Sequence, residues 1–172
     1  NITGSKKVKI SEVTLNVDID SNLDKLNNTG NKLYRDIEAV RSNITINSGV
    51  TVSGTEDNQA GMAQGIAYTG LTNFGTINLS GQNVVGIYGE NTTIENYGVI
   101  NLENAQNGTG LYSNGGFFGF NTAINDSTIN IGQGGIGIYG ITGQYGWLTT
   151  LNFGSIVGNG DSVTGIYINN AG

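Results

Sequence analysis

The 172-residue chain contains no proline, no cysteine and no histidine. The absence of cysteine excludes a disulfide framework and thiolate metal sites. Proline would remove a backbone donor from any strand that is hydrogen-bonded on both sides, so its absence is expected in a chain built of such strands. Without histidine or cysteine, and without a recurrent aspartate spacing, the sequence predicts no metal site and no cofactor.

Positive charge is also scarce, and it is confined to one end of the chain. The seven basic residues are Lys6, Lys7, Lys9, Lys25, Lys32, Arg35 and Arg41. The residues after Arg41 include no base and seven acids, namely Glu56, Asp57, Glu90, Glu95, Glu103, Asp126 and Asp161. Because phosphate recognition needs cationic donors, this acidic part is predicted to bind neither nucleic acid nor anionic lipid.

Two short motifs recur along the chain in place of long hydrophobic runs. The first reads Gly-Ile-Tyr and occurs at 86–88, 137–139 and 165–167, with variants at 110–112 and 65–67. Successive copies lie 21, 24, 27 and 28 residues apart. The second motif begins Asn-Phe-Gly or Asn-Tyr-Gly, and its copies, one of them degenerate, start at Asn73, Asn96, Asn125 and Asn152. Two interleaved motifs with one drifting period indicate stacked repeat units.

Apolar residues within the repeats alternate with other residues at the period of a β-strand. The alternating pairs are Ile44/Ile46, Ile77/Leu79, Ile100/Leu102, Ile129/Ile131 and Ile136/Ile138. Leucine-rich repeats are the competing solenoid, but Gln82, Ala105 and Gly134 stand where their asparagine is expected. Short strands joined by Gly and Asn turns therefore predict an all-β chain in which each coil pairs in parallel with the next, a parallel β-helix.

The first 41 residues do not match the repeat. Val8 and Ile10 alternate as in extended chain. The stretch from Asn31 to Val40 is predicted to form a short amphipathic helix, because its apolar residues share one helical face. We therefore divide the chain into an N-terminal extended and helical segment, 1–41, and β-helix repeats, 42–172, with about five coils. The N-terminal segment either covers an open end of the solenoid or decorates its side.

The repeats resemble those of a known family. Asn-[Phe/Tyr]-Gly-x-Ile-x-[Leu/Ile/Val] followed by Gly-Ile-Tyr-Gly, in an Asn- and Gly-rich chain, is similar to passenger domains of type V autotransporter adhesins of Gram-negative bacteria, most of all the very large fusobacterial ones. The resemblance covers residues 42–172. It implies a right-handed β-helix at the cell surface, exported through the outer membrane by a C-terminal barrel outside this sequence. It also implies attachment to host cells or other bacteria through protein or glycan contacts.

The two ends of the sequence carry no targeting or capping feature. There is no signal peptide and no transmembrane run, and the last residues follow directly on a repeat motif. We therefore expect the chain to be a segment of a longer solenoid.

β-Helix lyases and hydrolases use either carboxylates or a basic residue, and the repeats contain no basic residue. Carboxylates are therefore the only catalytic side chains of these kinds that the repeats offer. Glu90 and Glu95 belong to one coil, and Glu56 neighbours Asp57, but these positions are Gly- and Asn-rich or exposed. We interpret the four acids as solvated turn charges and predict no catalytic residue.

Aromatic residues supply the candidates for contact with a partner. The tyrosines of the first motif are predicted to stack in a column, interpreted as a ladder that stabilises the coils. The distance from the first motif to the next second motif is 8, 10, 15 and 15 residues, so two adjacent coils carry insertions of about five. These insertions contain Phe117, Phe118, Phe120, Tyr145 and Trp147. Such insertions often form a binding face, although the aromatics could instead fold back over the coil.

The sequence therefore predicts a non-enzymatic, surface-exposed adhesin segment. Its expected partner is a host cell-surface protein or glycan, or the surface of another bacterium. Two alternatives stay open: a carbohydrate-active β-helix enzyme, and a purely structural stalk that only sets distance.

Overall fold

The computed structural model of the chain describes residues 8–11, 14–16, 37–40, 43–64, 70–116 and 119–170. These residues form strands and turns with no helix, and hence none that is long and apolar enough to cross a membrane. The strands are β1 (Val8–Ser11), β2 (Thr14–Asn16), β3 (Ile37–Val40), β4 (Asn43–Ile46), β5 (Thr51–Gly54), β6 (Ala60–Gln64), β7 (Gly70–Asn73), β8 (Thr76–Leu79), β9 (Val85–Glu90), β10 (Thr93–Asn96), β11 (Val99–Leu102), β12 (Thr109–Asn114), β13 (Phe120–Asn125), β14 (Thr128–Ile131), β15 (Ile136–Thr142), β16 (Trp147–Asn152), β17 (Ser155–Gly158) and β18 (Thr164–Asn170).

The strands from β4 onward visit three parallel sheets in rotation. The first sheet has the order β16-β13-β10-β7-β4-β2, the second β17-β14-β11-β8-β5, and the third β18-β15-β12-β9-β6. One strand from each sheet makes a coil, so that coil 1 is β4–β6, coil 2 is β7–β9, coil 3 is β10–β12, coil 4 is β13–β15 and coil 5 is β16–β18. From β4 to β16 the chain passes through four coil-to-coil steps, so the stack makes about four turns. The predicted parallel β-helix is confirmed.

The core of the stack is a set of columns of inward apolar side chains. Ile77, Ile100 and Ile129 are register neighbours on the second sheet, and all three are fully buried. Burying one such side chain stabilises the fold by about 1.5 to 3 kcal/mol. Nine of the ten residues in the predicted alternating pairs are buried, as expected.

Ile136 is the exception, and the first motif explains it. Ile136 is half-buried, whereas Gly137 and Ile138 are both buried, so the glycine takes the inward place. A Cβ at Gly137 would lie 2.5 Å from the carbonyl oxygen of Gly165 and 2.5 Å from Cγ2 of Ile156. The motif therefore begins with glycine because the next coil leaves no room for a side chain. Ile136 therefore does not share the buried face of the other nine residues.

Register also corrects one copy of the first motif. Met62 pairs with Ile87 and Ala63 pairs with Tyr88, so the copy in coil 1 begins at Gly61. The variant predicted at 65–67 was wrong as an alignment, and those residues lie outside the described part of the chain. Gly61 has the same close neighbours as later copies, because its Cβ would lie 2.7 Å from the Gly86 carbonyl oxygen.

The N-terminal segment is extended wherever the structure describes it. β1 pairs in parallel with β3, and β2 pairs with β4, adding a strand to the first sheet. The extended conformation predicted at Val8 and Ile10 is therefore confirmed. The helix predicted from Asn31 to Val40 was wrong over Ile37–Val40, where pairing with β1 overrides the helical spacing. Residues 31–36 lie outside the described residues, and the division at residue 41 stays a prediction.

Candidate functional site

A ladder of asparagine side chains crosses the first sheet at the C-terminal ends of its strands. Asn73, Asn96, Asn125 and Asn152 are register neighbours at the ends of their strands. The Nδ2 of each donates to the Oδ1 of the next, and all three bonds measure 2.8 Å. Such a chain satisfies side-chain amides that would otherwise be costly to bury.

The ladder also bonds to the turns that follow β7 and β13. The backbone N–H of Gly75 donates to Oδ1 of Asn73 at 3.1 Å, and Nδ2 of Asn125 donates to the carbonyl of Ser127 at 3.0 Å. The sequence contained a signal for this ladder, since asparagine opens the second motif in four successive coils. This asparagine was used only to define the repeat, and its hydrogen-bonded ladder was not predicted.

The residue after each ladder asparagine forms an exposed column that we call the turn column. It consists of Phe74, Tyr97, Asp126 and Phe153. The backbone N–H of Tyr97 donates to the carbonyl of Asn73 at 2.8 Å, and the same contact repeats for the other three. The Phe74 and Tyr97 rings are stacked, with centroids 5.3 Å apart and planes at 13°.

A carboxylate lies beside the stacked rings. Oε2 of Glu95 accepts from Oγ1 of Thr72 at 3.1 Å, and Oε1 accepts from the hydroxyl of Tyr97 at 3.5 Å. The negative charge of Glu95 is the main reason that the pKa of Tyr97 is raised, with smaller contributions from burial and from Asp126. Glu95 is therefore the carboxylate that contacts this ring, through its hydroxyl.

The two insertions meet at the N-terminal ends of the strands in the first sheet. Phe120 and Trp147 open β13 and β16 and are register neighbours. Their side chains are 71% and 72% exposed. The insertion backbones are joined as well, because Gly143 N–H donates to the Gly116 carbonyl at 2.7 Å and Trp147 N–H to the Gly119 carbonyl at 2.8 Å.

The structure describes one of the other three predicted contact residues. Tyr145 is 56% exposed and lies two residues before Trp147. Phe117 and Phe118 lie outside the described residues. The structure thus brings together Phe120 and Trp147, both directed outward, while the role of all five as ligand contacts stays a prediction.

Apolar residues continue across the outward face of the first sheet from these two rings. Ile124 pairs with Leu151 four residues further along the same strands, and Leu151 is exposed. Thr122 and Thr149 lie between the two apolar pairs. We call Phe120, Trp147, Ile124 and Leu151 the outward apolar patch.

The tyrosine column predicted from the first motif is confirmed. Tyr88, Tyr112, Tyr139 and Tyr167 are register neighbours on the third sheet, and successive ring centroids lie 5.2, 4.9 and 5.4 Å apart. Burial is the main cause of the raised pKa of Tyr88 and of Tyr112. Because the successive rings pack against one another, the geometry favours the interpretation as a stabilising ladder.

A polar groove lies at the turns between the second and third sheets. It has a volume of about 450 Å³, and its lining includes Glu103, Gln133, Asn159 and Asp161. Nδ2 of Asn159 donates to Oε1 of Glu103 at 2.9 Å across the intervening coil. No group of three or more acidic, histidine or cysteine side chains suited to a metal ion occurs within the described residues.

The chain was also compared with known proteins. No protein-family model matches it, no curated protein matches it, and no solved structure matches it.

Proposed function

We propose that this chain is an adhesive segment of a surface-exposed solenoid, which attaches to a protein or glycan on a host cell or on another bacterium. The observation that carries the proposal is the pair Phe120 and Trp147. Both are register neighbours on adjacent strands and more than two thirds exposed. An aromatic pair that a fold leaves in water is a natural anchor for a partner.

The energetics of the pair support this use. Adjacent strands lie about 4.8 Å apart, so the two rings act as one apolar surface. Covering a large apolar side chain contributes about 1.5 to 3 kcal/mol, and aromatic anchors typically dominate the binding energy of a contact. Ile124 and Leu151 extend the same patch along the strands.

The location and export route belong to the same proposal. The repeats resemble passenger domains of type V autotransporters, which reach the cell surface through a C-terminal outer-membrane barrel. Shape and multivalency would then matter more than one deep pocket, since repeated weak contacts raise the overall avidity of a long surface protein.

A structural stalk is the second candidate, favoured by the asparagine ladder. Two buried bonds and one partly buried bond link Asn73 to Asn152 across four coils, and such a network stiffens the stack. A stalk needs rigidity and no contact surface.

A binding screen tests the proposal. The fluorescently labelled 172-residue chain is incubated with epithelial cells and with other bacteria, and bound fluorescence is measured by flow cytometry. Adhesion predicts saturable binding that either protease or periodate treatment of the target removes. Binding to no surface favours the stalk. Release of reducing ends or unsaturated sugars from polysaccharides would instead indicate an enzyme.

A further inference from the structure

The turn column has a gap in its line of rings. Phe74 and Tyr97 are stacked, the next position is Asp126, and the one after it is Phe153. All four backbones occupy the same place, because each N–H donates to the carbonyl of the residue that ends the corresponding strand one coil earlier, at 2.7 to 2.8 Å. A short carboxylate therefore stands between two aromatic positions.

The spacing of the strands sets the size of this gap. Tyr97 and Phe153 are two strands apart, which corresponds to about 10 Å along the stack. A planar group in contact with a ring lies about 3.5 Å from it and needs about 7 Å between two rings. The gap therefore admits one planar group stacked on Tyr97, with space left on the side of Phe153. One face of Tyr97 is covered by Phe74, which leaves the opposite face toward Asp126.

The charge around the gap is negative. Asp126 is exposed, and Glu95 is held next to Tyr97 by the hydroxyls of Thr72 and Tyr97. The sequence after Arg41 contains no basic residue that could neutralise either carboxylate. A cation brought by a partner would therefore meet two acids and two aromatic side chains.

We propose that Tyr97, Asp126 and Phe153 form a slot for a guanidinium group, carried by an arginine side chain of a partner polypeptide. Guanidinium is planar, stacks on aromatic faces and pairs with carboxylates through several N–H donors. Asp126 accepts these hydrogen bonds at the floor of the slot, while Tyr97 and Phe153 flank the plane. Anionic ligands are excluded by the two carboxylates.

The slot is distinct from the outward apolar patch. It lies beyond the end of β13, whereas Phe120 begins that strand, so the two sites are about 20 Å apart along the strand direction. The inference goes beyond the proposed function and does not rest on it. A guanidinium slot can exist whether the solenoid is an adhesin or a stalk.

The first experiment measures the affinity of the 172-residue chain for a labelled octa-arginine peptide by fluorescence anisotropy. The variant is Asp126→Asn, which keeps the shape of the side chain. The control is Asp161→Asn, which removes one charge from a turn on another corner of the coil. We expect Asp126→Asn to weaken binding about tenfold and Asp161→Asn to weaken it less than twofold. Equal losses in the two variants would mean that octa-arginine binds through general charge attraction and would overturn the proposal. Failure of the unaltered chain to bind octa-arginine would also overturn it.

Two further comparisons test the planar fit. An octa-lysine peptide and a peptide with citrulline in place of arginine should both bind at least several-fold more weakly than octa-arginine. Phe153→Ser should weaken octa-arginine binding, while Val157→Ser, at an exposed apolar position on the second sheet, should not. Equal affinity for the lysine or citrulline peptide, or equal effects of the two serine variants, would overturn the proposal. Circular dichroism spectra of all variants verify that they remain folded.

Discussion

Asn96 donates its side-chain N–H to Oδ1 of Asn125 at 2.8 Å, across 29 residues of sequence. Asn96 also accepts from Asn73, so it is the centre of a buried chain of amides. The ladder joins coils that the apolar columns already hold together, and Asn73 and Asn125 also bond to the turns that display Phe74 and Asp126. One polar column thus connects the stability of the stack with the surface that it presents.

Asn96→Ala should destabilise the fold by about 2 to 5 kcal/mol, because it leaves Nδ2 of Asn73 and Oδ1 of Asn125 buried without their ladder partner. Urea unfolding measures the change. The matched control is Asn130→Ala at an outward, half-buried position, which should change stability by less than about 0.5 kcal/mol. Similar losses in the two variants would mean that the ladder contributes nothing special.

Ile100→Asp should lower the melting temperature far more than Glu103→Gln. Ile100 is fully buried, so the aspartate would place a carboxylate in the apolar core at a cost of several kcal/mol. Glu103 is exposed, and a glutamine there can still accept from Asn159. Equal melting temperatures would contradict the assignment of inward and outward faces.

Asn121→Leu should stabilise the protein by about 0.5 to 2 kcal/mol. Asn121 is 4% exposed, both polar atoms of its amide lack a hydrogen-bond partner, and its register neighbour on the next coil is Leu148. Replacing an unpaired buried amide with an apolar side chain of similar size removes a desolvation penalty. Calorimetry tests this, and a lower melting temperature would contradict it.

Stability should fall as pH rises above about 10, because burial raises the pKa of Tyr88 and Tyr112 in the folded state. Between the unfolded and the folded pKa the native state retains more protons, so the contribution is complete below pH 10 and is lost above it. Urea midpoints at pH 8, 10 and 11 measure the slope. Tyr88→Phe should flatten it, and an unchanged slope in that variant would contradict the assignment.

Much of the solenoid could be predicted because its pattern is local and repeated. The pairs Ile77/Leu79 and Ile100/Leu102 carry the strand period in the sequence, and the tyrosines mark one register position in four coils. The helix predicted over residues 37–40 was wrong, because a helical spacing of apolar residues does not reveal a strand partner 29 positions earlier. Pairing across coils decides that segment.

The candidate site was harder to predict, for two physical reasons. Trp147 and Phe120 were found because their insertions are visible as extra length, although their adjacency depends on register. The slot around Asp126 was missed because Tyr97 and Phe153 are far apart in sequence and become neighbours of one carboxylate only when three coils stack. The asparagine ladder was visible as a motif, but its hydrogen bonds are not encoded in spacing alone.

The most direct test of the proposed adhesive surface compares cell binding by the unaltered chain, by the double variant Phe120→Ser with Trp147→Ser, and by Val99→Ser. Val99 is an exposed apolar residue on the second sheet and serves as the control. We predict that the double variant loses at least tenfold in binding while its circular dichroism spectrum and melting temperature stay nearly unchanged, and that Val99→Ser binds normally. A folded double variant that binds as tightly as the unaltered chain would contradict the account.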